Sequence, residues 1–139
     1  FEREENYLLD KEFALDVQLT LSSGMVLLGQ EKFLSHKFAK YNSVTVEYEQ
    51  DKSTHEQGDW FKLACQFYFT GYATEDEGNF APWIILDWPR IAIVTLQNKI
   101  AWIDNSNKNG HARASFRYCN MRMIPDSCII ASSWSSGIK

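Results

Sequence analysis

The chain has 139 residues, of which 45% are hydrophobic and 14% aromatic, and its formal net charge at pH 7 is −4. This length and apolar content predict one globular domain over residues 1–139. No run of 18 apolar residues occurs and the first residues are acidic, so we expect neither a membrane span nor a signal peptide.

The first segment, FEREENYLLDKE, has the pattern of a short amphipathic helix. Helical spacing places Glu5 on the same side as Leu8 and Leu9, facing the core. The alternative is an acidic helix start whose carboxylates are all solvated.

A β-hairpin is predicted next, with strands over residues 13–21 and 25–35. They flank the turn Ser-Ser-Gly at 22–24, in which glycine supplies the left-handed position. The turn sets a register in which paired residue numbers sum to 46, so Asp16 faces Gln30. A slip of one residue would instead place Glu31 opposite Asp16.

The second strand of this hairpin carries three polar residues in a row, Gln30, Glu31 and Lys32. Because strand side chains alternate, Gln30 and Lys32 share one face while Glu31 points to the other. Apolar residues occupy both faces around Asp16 and before Gln30, which indicates a strand covered on both sides. Polar groups inside such a strand need a partner, a metal or a function.

A third strand is predicted at 42–50, followed by the polar connection 51–59 and a helix through WFKLACQFYFTGY, 60–72. Lys62 and Gln66 are four residues apart and would share a face of this helix. Its aromatic residues are predicted to pack on the sheet. Solvent exposure of both polar side chains is an equal alternative.

The rest of the chain is predicted to be rich in short strands. An acidic loop at 73–80 precedes a strand at 81–88, and further strands are predicted at 91–96, 99–104 and 114–121, with a tight hairpin at Asn98-Lys99. Pro125-Asp126-Ser127 is predicted to begin a short C-terminal helix. The expected fold is α/β (α+β), with a central mixed sheet flanked by helices.

The segment from Asp16 to Lys32 resembles the PD-(D/E)XK nuclease superfamily. The matching residues are an Asp on one strand and the triplet Gln30-Glu31-Lys32 on the next, a Q-x-K variant of the motif, followed by a strand, a helix and a strand. The resemblance implies a restriction-endonuclease-like core over 1–104, with a basic, β-rich part at 105–139.

The resemblance also implies a site for Mg²⁺ or Mn²⁺. Asp16 would be its main ligand, with the amide oxygen of Gln30, the backbone carbonyl of Glu31 and an acid from the first helix, Glu5. Lys32 would orient the attacking water or stabilise negative charge in the transition state. Asp16, Gln30 and Lys32 are thus the expected catalytic residues. The neutral Gln30 gives the site one negative charge fewer than the acidic form of the motif.

Nucleic acid is the expected partner, with DNA preferred to RNA. Residues 105–139 carry a net charge of +4 and the remaining residues −8. A basic strip beside an acidic metal centre would suit a phosphate backbone, although simple solubility explains the asymmetry equally well. The residues expected to contact nucleic acid are Lys37, Lys40, Lys62, Gln66, Arg113 and Arg117.

Three widely spaced cysteines, without a CxxC pair, favour reduced thiols and a cytoplasmic protein. Three functional hypotheses follow. The first is a metal-dependent nuclease. The second is a nuclease-like protein that has lost catalysis and binds nucleic acid or a protein, and the third is an unrelated β-rich binding module.

Overall fold

The computed structural model of the chain describes residues 2–5, 17–20, 22–51, 56–57, 65–105 and 115–134. The described strands are β1 Glu2–Glu5, β2 Val17–Thr20, β3 Val26–Leu34, β4 Ser43–Asp51, β5 Glu56–Gln57, β6 Phe67–Ala73, β7 Phe80–Asp87, β8 Ile103–Asn105, β9 Ser115–Asn120 and β10 Ile129–Ser132. The helices are α1, Trp88–Leu96, and the 3-10 helices His36–Tyr41, Met121–Met123 and Asp126–Cys128.

The strands form two sheets. The first has six strands in the order β1-β2-β3-β6-β7-β10, and the second has four in the order β5-β4-β9-β8. In the first sheet β3 and β6 are parallel and the other neighbouring strands are antiparallel. The predicted mixed sheet is therefore confirmed, but the described part of the chain is mostly strand and has few helices.

The predicted hairpin register is confirmed. β2 and β3 pair Val17 with Gly29 and Thr20 with Val26, so paired numbers sum to 46. Gly24 has a φ of 88°, the left-handed conformation that the turn was expected to need. Asp16 itself lies outside the described residues, so its pairing with Gln30 stays a prediction.

The predicted first helix is wrong for the residues that the structure describes there. Residues 2–5 form β1, which pairs antiparallel with β2 and brings Glu5 opposite Val17. Backbone pairing with β2 thus outweighs the weak helical preference of a short segment.

The predicted helix over 60–72 is also wrong in its described part. Phe67–Ala73 forms β6, which lies between β3 and β7 at the centre of the first sheet. Phe67 on one face is buried, and so are Tyr68 and Tyr72 on the other. A strand buried on both faces has no apolar–polar alternation, and periodicity alone cannot distinguish it from a buried helix.

The predicted strand over 91–96 is an α-helix. The Asp87 side chain accepts a hydrogen bond of 3.2 Å from the backbone N–H of Arg90 and caps α1. Ile91 and Val94, three residues apart, are buried on one side of the helix. The expected tight hairpin at Asn98-Lys99 is replaced by a turn that ends α1, with Asn98 at a φ of 57°.

The other predicted elements correspond more closely to the structure. β4, β7 and β9 overlap the predicted strands at 42–50, 81–88 and 114–121, whereas β8 is shorter than the predicted 99–104. Pro125 precedes the 3-10 helix Asp126–Cys128, as expected, but β10 follows it directly.

The main core lies between the inner face of the first sheet and the second sheet, with α1 beside them. It includes Ile84 and Leu86 from β7, Val44 and Val46 from β4, and Ile91 from α1. All three cysteines, Cys65, Cys119 and Cys128, are free and buried. Among the residues described, no helix has the length and apolarity needed to cross a membrane.

Two tyrosine hydroxyls join β6 to β4. The Tyr68 hydroxyl donates to the backbone carbonyl of Thr45 at 3.0 Å. The Tyr72 hydroxyl donates to the carbonyl of Ser43 at 3.2 Å and accepts from the Ser43 N–H at 3.0 Å. Burial raises the pKa of Tyr72, with the hydrogen bond to Ser43 opposing this shift. The two tyrosines therefore hold one edge of β4 against the first sheet.

Candidate functional site

Strand β3 positions the polar triplet. Its pairing with β6 is continuous, with Gln30 opposite Tyr68 and Lys32 opposite Thr70. Because the strand has no bulge here, Gln30 and Lys32 lie on the inner face and Glu31 lies on the outer face, opposite Phe69. The metal-binding role expected of the Glu31 carbonyl stays a prediction.

Gln30 is buried, with 7% of its surface exposed. None of the described residues donates a hydrogen bond to its side-chain oxygen, Oε1, which is itself buried. A buried acceptor without a donor is unfavourable by about 1–3 kcal/mol, so it is uncommon unless a ligand or a water serves it. The Gln30 amide oxygen is therefore a buried acceptor whose hydrogen-bonding capacity the described residues leave unused.

The side chain of Lys32 reaches from the first sheet to the second. Its Nζ lies 4.7 Å from the centre of the Phe116 ring on β9. The Lys32 backbone carbonyl accepts a hydrogen bond of 2.6 Å from the buried hydroxyl of Thr70. A cation over a ring face is attracted by the ring quadrupole, so Phe116 favours this direction of the lysine side chain.

A carboxylate on β4 lies near this contact in the sheet register. Glu47 pairs directly with Phe116, and residues directly opposite in an antiparallel pair share a face. Glu47 is half-buried and lies on the face of the second sheet that Lys32 reaches. The sequence did not single out Glu47, Phe116 or Thr70, because their position depends on how two sheets pack.

Three of the expected site residues, Asp16, Lys62 and Arg113, lie outside the described residues. Glu5 is placed by its backbone in β1, and no more than its pairing with Val17 is described. Within the described ranges, no three His, Cys, Asp or Glu side chains are grouped so that they could hold a metal ion.

Gln66 lies at a bend before β6 rather than on a helix. Its Oε1 accepts a hydrogen bond of 2.8 Å from the Leu28 N–H, and its own N–H donates to the Leu28 carbonyl at 2.7 Å. The residue therefore bridges to β3, and its amide oxygen is engaged by the protein backbone.

Of the basic residues expected to contact nucleic acid, Lys37, Lys40 and Arg117 are described, and they lie in two places. Arg117 on β9 forms an ion pair with Asp104 on β8, with Nε 2.9 Å from Oδ1, so a neighbouring carboxylate offsets its charge. Lys37 and Lys40 lie on the exposed 3-10 helix His36–Tyr41, where each ammonium group lies near an aromatic ring.

A shallow cavity of about 410 Å³ lies at the start of α1, away from β3. It is lined by Asp87, Arg90, Asp126, Ser127, Ile129 and Ile130. Asp87 already caps α1 and lies 3.9 Å from the Arg90 guanidinium. Neither Gln30 nor Lys32 lines this cavity.

No protein family matches the chain, and no curated protein or solved structure shows significant similarity to it.

Proposed function

We propose that the chain is a metal-dependent nuclease that hydrolyses phosphodiester bonds in nucleic acid, with DNA preferred to RNA. The catalytic residues are Asp16, Gln30 and Lys32. The observation that supports this most directly is the buried Gln30 oxygen, which lacks a donor among the described residues and shares the inner face of β3 with Lys32.

The donor atoms suit a hard divalent cation. Mg²⁺ and Mn²⁺ prefer oxygen ligands, and Mg²⁺ is held by one or two carboxylates while it keeps several waters. Asp16, the Gln30 amide oxygen and the Glu31 carbonyl would hold the ion. When bound, the ion lowers the pKa of a coordinated water and neutralises charge on the phosphoryl oxygens.

Lys32 supplies the positive charge that the protein itself contributes to catalysis. Its ammonium group orients the attacking water by hydrogen bonding and stabilises the negative charge that develops on the phosphoryl group. Packing of Lys32 against Phe116 restricts its side chain before substrate arrives, which reduces the entropy lost on reaching the productive geometry.

The element order supports a restriction-endonuclease-like core in part. The hairpin of β2 and β3 has the expected register in its described part, and a strand follows it at the expected place. The expected helices at the N-terminus and over 60–72 do not support it, because residues 2–5 and 67–73 are strands.

The neutral Gln30 and the preponderance of strand favour a second candidate, a non-catalytic binding protein. With Gln30 in place of an acid, the site has less negative charge to offer a cation. Most of the described chain lies in two sheets, as in many binding modules. Such a protein would bind nucleic acid or a protein without turnover.

Cleavage of a mixed panel distinguishes the two candidates. The panel contains single-stranded, duplex and branched DNA, together with RNA, each with Mg²⁺, Mn²⁺ or EDTA. We expect metal-dependent cleavage that is lost in Asp16→Ala and in Lys32→Ala, while Lys99→Ala, which removes an exposed lysine elsewhere, cleaves as the wild type does.

Gln30→Glu tests the ligand role separately. Introducing a carboxylate adds a negative charge to the site, so we expect a lower metal concentration for half-maximal cleavage. Absence of cleavage by both the wild type and Gln30→Glu, with every metal and substrate, would favour the non-catalytic candidate.

A further inference from the structure

The 3-10 helix His36–Tyr41, called helix 36–41 below, presents two parallel rows of side chains. A 3-10 helix has three residues per turn, so side chains three residues apart are aligned. Phe38 and Tyr41 form one row, and Lys37 and Lys40 form the other. Ala39, on the third side, packs against the core.

The aromatic row is open to solvent. Phe38 is 41% exposed and Tyr41 is 58% exposed, and none of the six residues in the helix is buried. The ammonium group of Lys37 lies 5.1 Å from the centre of the Phe38 ring, and that of Lys40 lies 5.2 Å from the centre of the Tyr41 ring. Each ring thus has a lysine ammonium group over one of its faces.

The C-terminal end of helix 36–41 is fixed to the fold by hydrogen bonds. The N–H of Asn42 donates to the Ala39 carbonyl at 3.1 Å, and Asn42 adopts the left-handed conformation that ends the helix. The Ser43 hydroxyl donates to the Tyr41 carbonyl at 2.9 Å, and the Ser43 backbone is itself held by Tyr72. The two rows are therefore presented on an anchored segment.

We propose that helix 36–41 binds single-stranded nucleic acid, with bases stacked on Phe38 and Tyr41 and phosphates paired with Lys37 and Lys40. This inference rests on the proposed nuclease function and names the form of its substrate. Stacking of bases on exposed rings beside a basic track is the usual way in which proteins bind unpaired strands. In a duplex the faces of the bases are hidden by their neighbours, so the rings can contact only unpaired bases.

Charge and position support this ligand. Helix 36–41 contains two lysines and no acidic residue, and it follows directly after β3, the strand that carries Lys32. A nucleic-acid chain held on helix 36–41 would therefore lie next to the C-terminal end of β3, which bears Gln30 and Lys32. The alternative of an anionic membrane surface is weaker, because Ala39, the only aliphatic residue of the helix, faces inward.

Binding is measured without turnover by fluorescence anisotropy in EDTA. The probes are a fluorescent 12-nucleotide oligothymidine and a duplex of the same length. We expect the wild type to bind the single strand more tightly than the duplex. Phe38→Ala and Tyr41→Ala should each weaken single-strand binding by about five- to 150-fold, the range reported for loss of one base–aromatic stack.

Matched controls isolate the two rows. Phe80→Ala removes a ring of similar exposure, 40%, that packs against Phe33 on β3 and is not part of helix 36–41, and it should bind as the wild type does. Replacing Lys37 and Lys40 together by Ala should reduce the slope of log K against log salt by about 1.4, whereas Lys99→Ala should leave it unchanged.

Equal binding by the wild type and by Phe38→Ala and Tyr41→Ala would overturn the inference, as would equal affinity for duplex and single strand. Binding to phosphatidylserine vesicles with no binding to the oligonucleotide would overturn it in favour of a membrane. Because EDTA prevents metal-dependent cleavage, the expected binding pattern in a protein that never cleaves would support the binding site while removing the proposed nuclease activity.

Discussion

Lys32 and Phe116, 84 positions apart in the chain, meet across the two sheets with the lysine ammonium 4.7 Å from the ring centre. Lys32 lies on β3 in the first sheet and Phe116 lies on β9 in the second. This contact makes the direction of a candidate catalytic side chain depend on the packing of the whole domain.

We expect Lys32→Met and Phe116→Leu to be energetically coupled. A cation over a ring contributes about 0.5–2 kcal/mol, depending on how far it is desolvated. A double-mutant cycle of urea unfolding should therefore give a coupling free energy in that range. If the two changes were additive to within about 0.3 kcal/mol, the contact would contribute nothing measurable to stability.

Replacing Gln30 with Met should stabilise the fold. The substitution removes a buried oxygen that has no donor among the described residues and keeps an unbranched side chain. We expect the free energy of unfolding to rise by about 1 kcal/mol while metal-dependent cleavage is lost. Gln66→Met is the control, because Gln66 Oε1 accepts from the Leu28 N–H and its loss should instead destabilise the fold by about 1 kcal/mol. Destabilisation by Gln30→Met would mean that the protein itself already satisfies the Gln30 oxygen.

Tyr72→Phe should clearly destabilise the fold, although it removes only one oxygen atom. The Tyr72 hydroxyl serves both the N–H and the carbonyl of buried Ser43, so its loss leaves two backbone groups without that partner. We expect the free energy of unfolding to fall by about 1–3 kcal/mol. Thermal or urea unfolding measures this loss, and a fall of less than about 0.5 kcal/mol would show that water replaces the hydroxyl.

The thiol of Cys119 should make stability fall at alkaline pH. Burial raises its pKa from 9.0 to about 12 in the folded protein. The pKa of this thiol is higher in the folded than in the unfolded protein. The buried, neutral thiol therefore contributes its full stabilisation below pH 9, and this contribution is lost as the pH rises toward 12. From pH 9 to pH 10.5 the loss is on the order of 2 kcal/mol. Urea unfolding across this range should show a shallower decline in Cys119→Ala, and an unchanged decline would assign the effect to other groups.

The sequence was most informative where local geometry determines the structure. The register of β2 and β3 follows from the turn, because glycine at position 24 supplies the left-handed residue that a three-residue loop needs. The strands at β4, β7 and β9 were also recognisable from their β-branched and aromatic residues.

The errors have physical causes that differ between elements. β6 was mistaken for a helix because burial on both faces removes the alternation that marks a strand. The segment that forms α1 was mistaken for a strand because Ile91, Ile93 and Val94 are β-branched. Its N-terminal signals, Asp87 as cap and Pro89 in the first turn, were present in the sequence and outweigh side-chain propensity.

Of the candidate site, the sequence predicted only the arrangement of residues within one strand, β3. Alternation along β3 was enough to place Gln30 and Lys32 on a common face. The contact of Lys32 with Phe116, and the register that brings Glu47 opposite Phe116, depend on the pairing of β4 with β9 and on the packing of the two sheets. No local pattern in the sequence specifies such long-range contacts.

The tyrosine hydroxyls on β6 have a consequence for self-association. At Ser43 and Thr45, the edge of β4 that faces away from β9 has no strand partner among the described strands, and the hydroxyls of Tyr72 and Tyr68 engage its backbone groups there. Unpaired strand edges are templates on which another chain can add a strand and begin to aggregate. The two tyrosines thus protect β4 from intermolecular strand addition, a role that phenylalanine, with the same ring, could not fill.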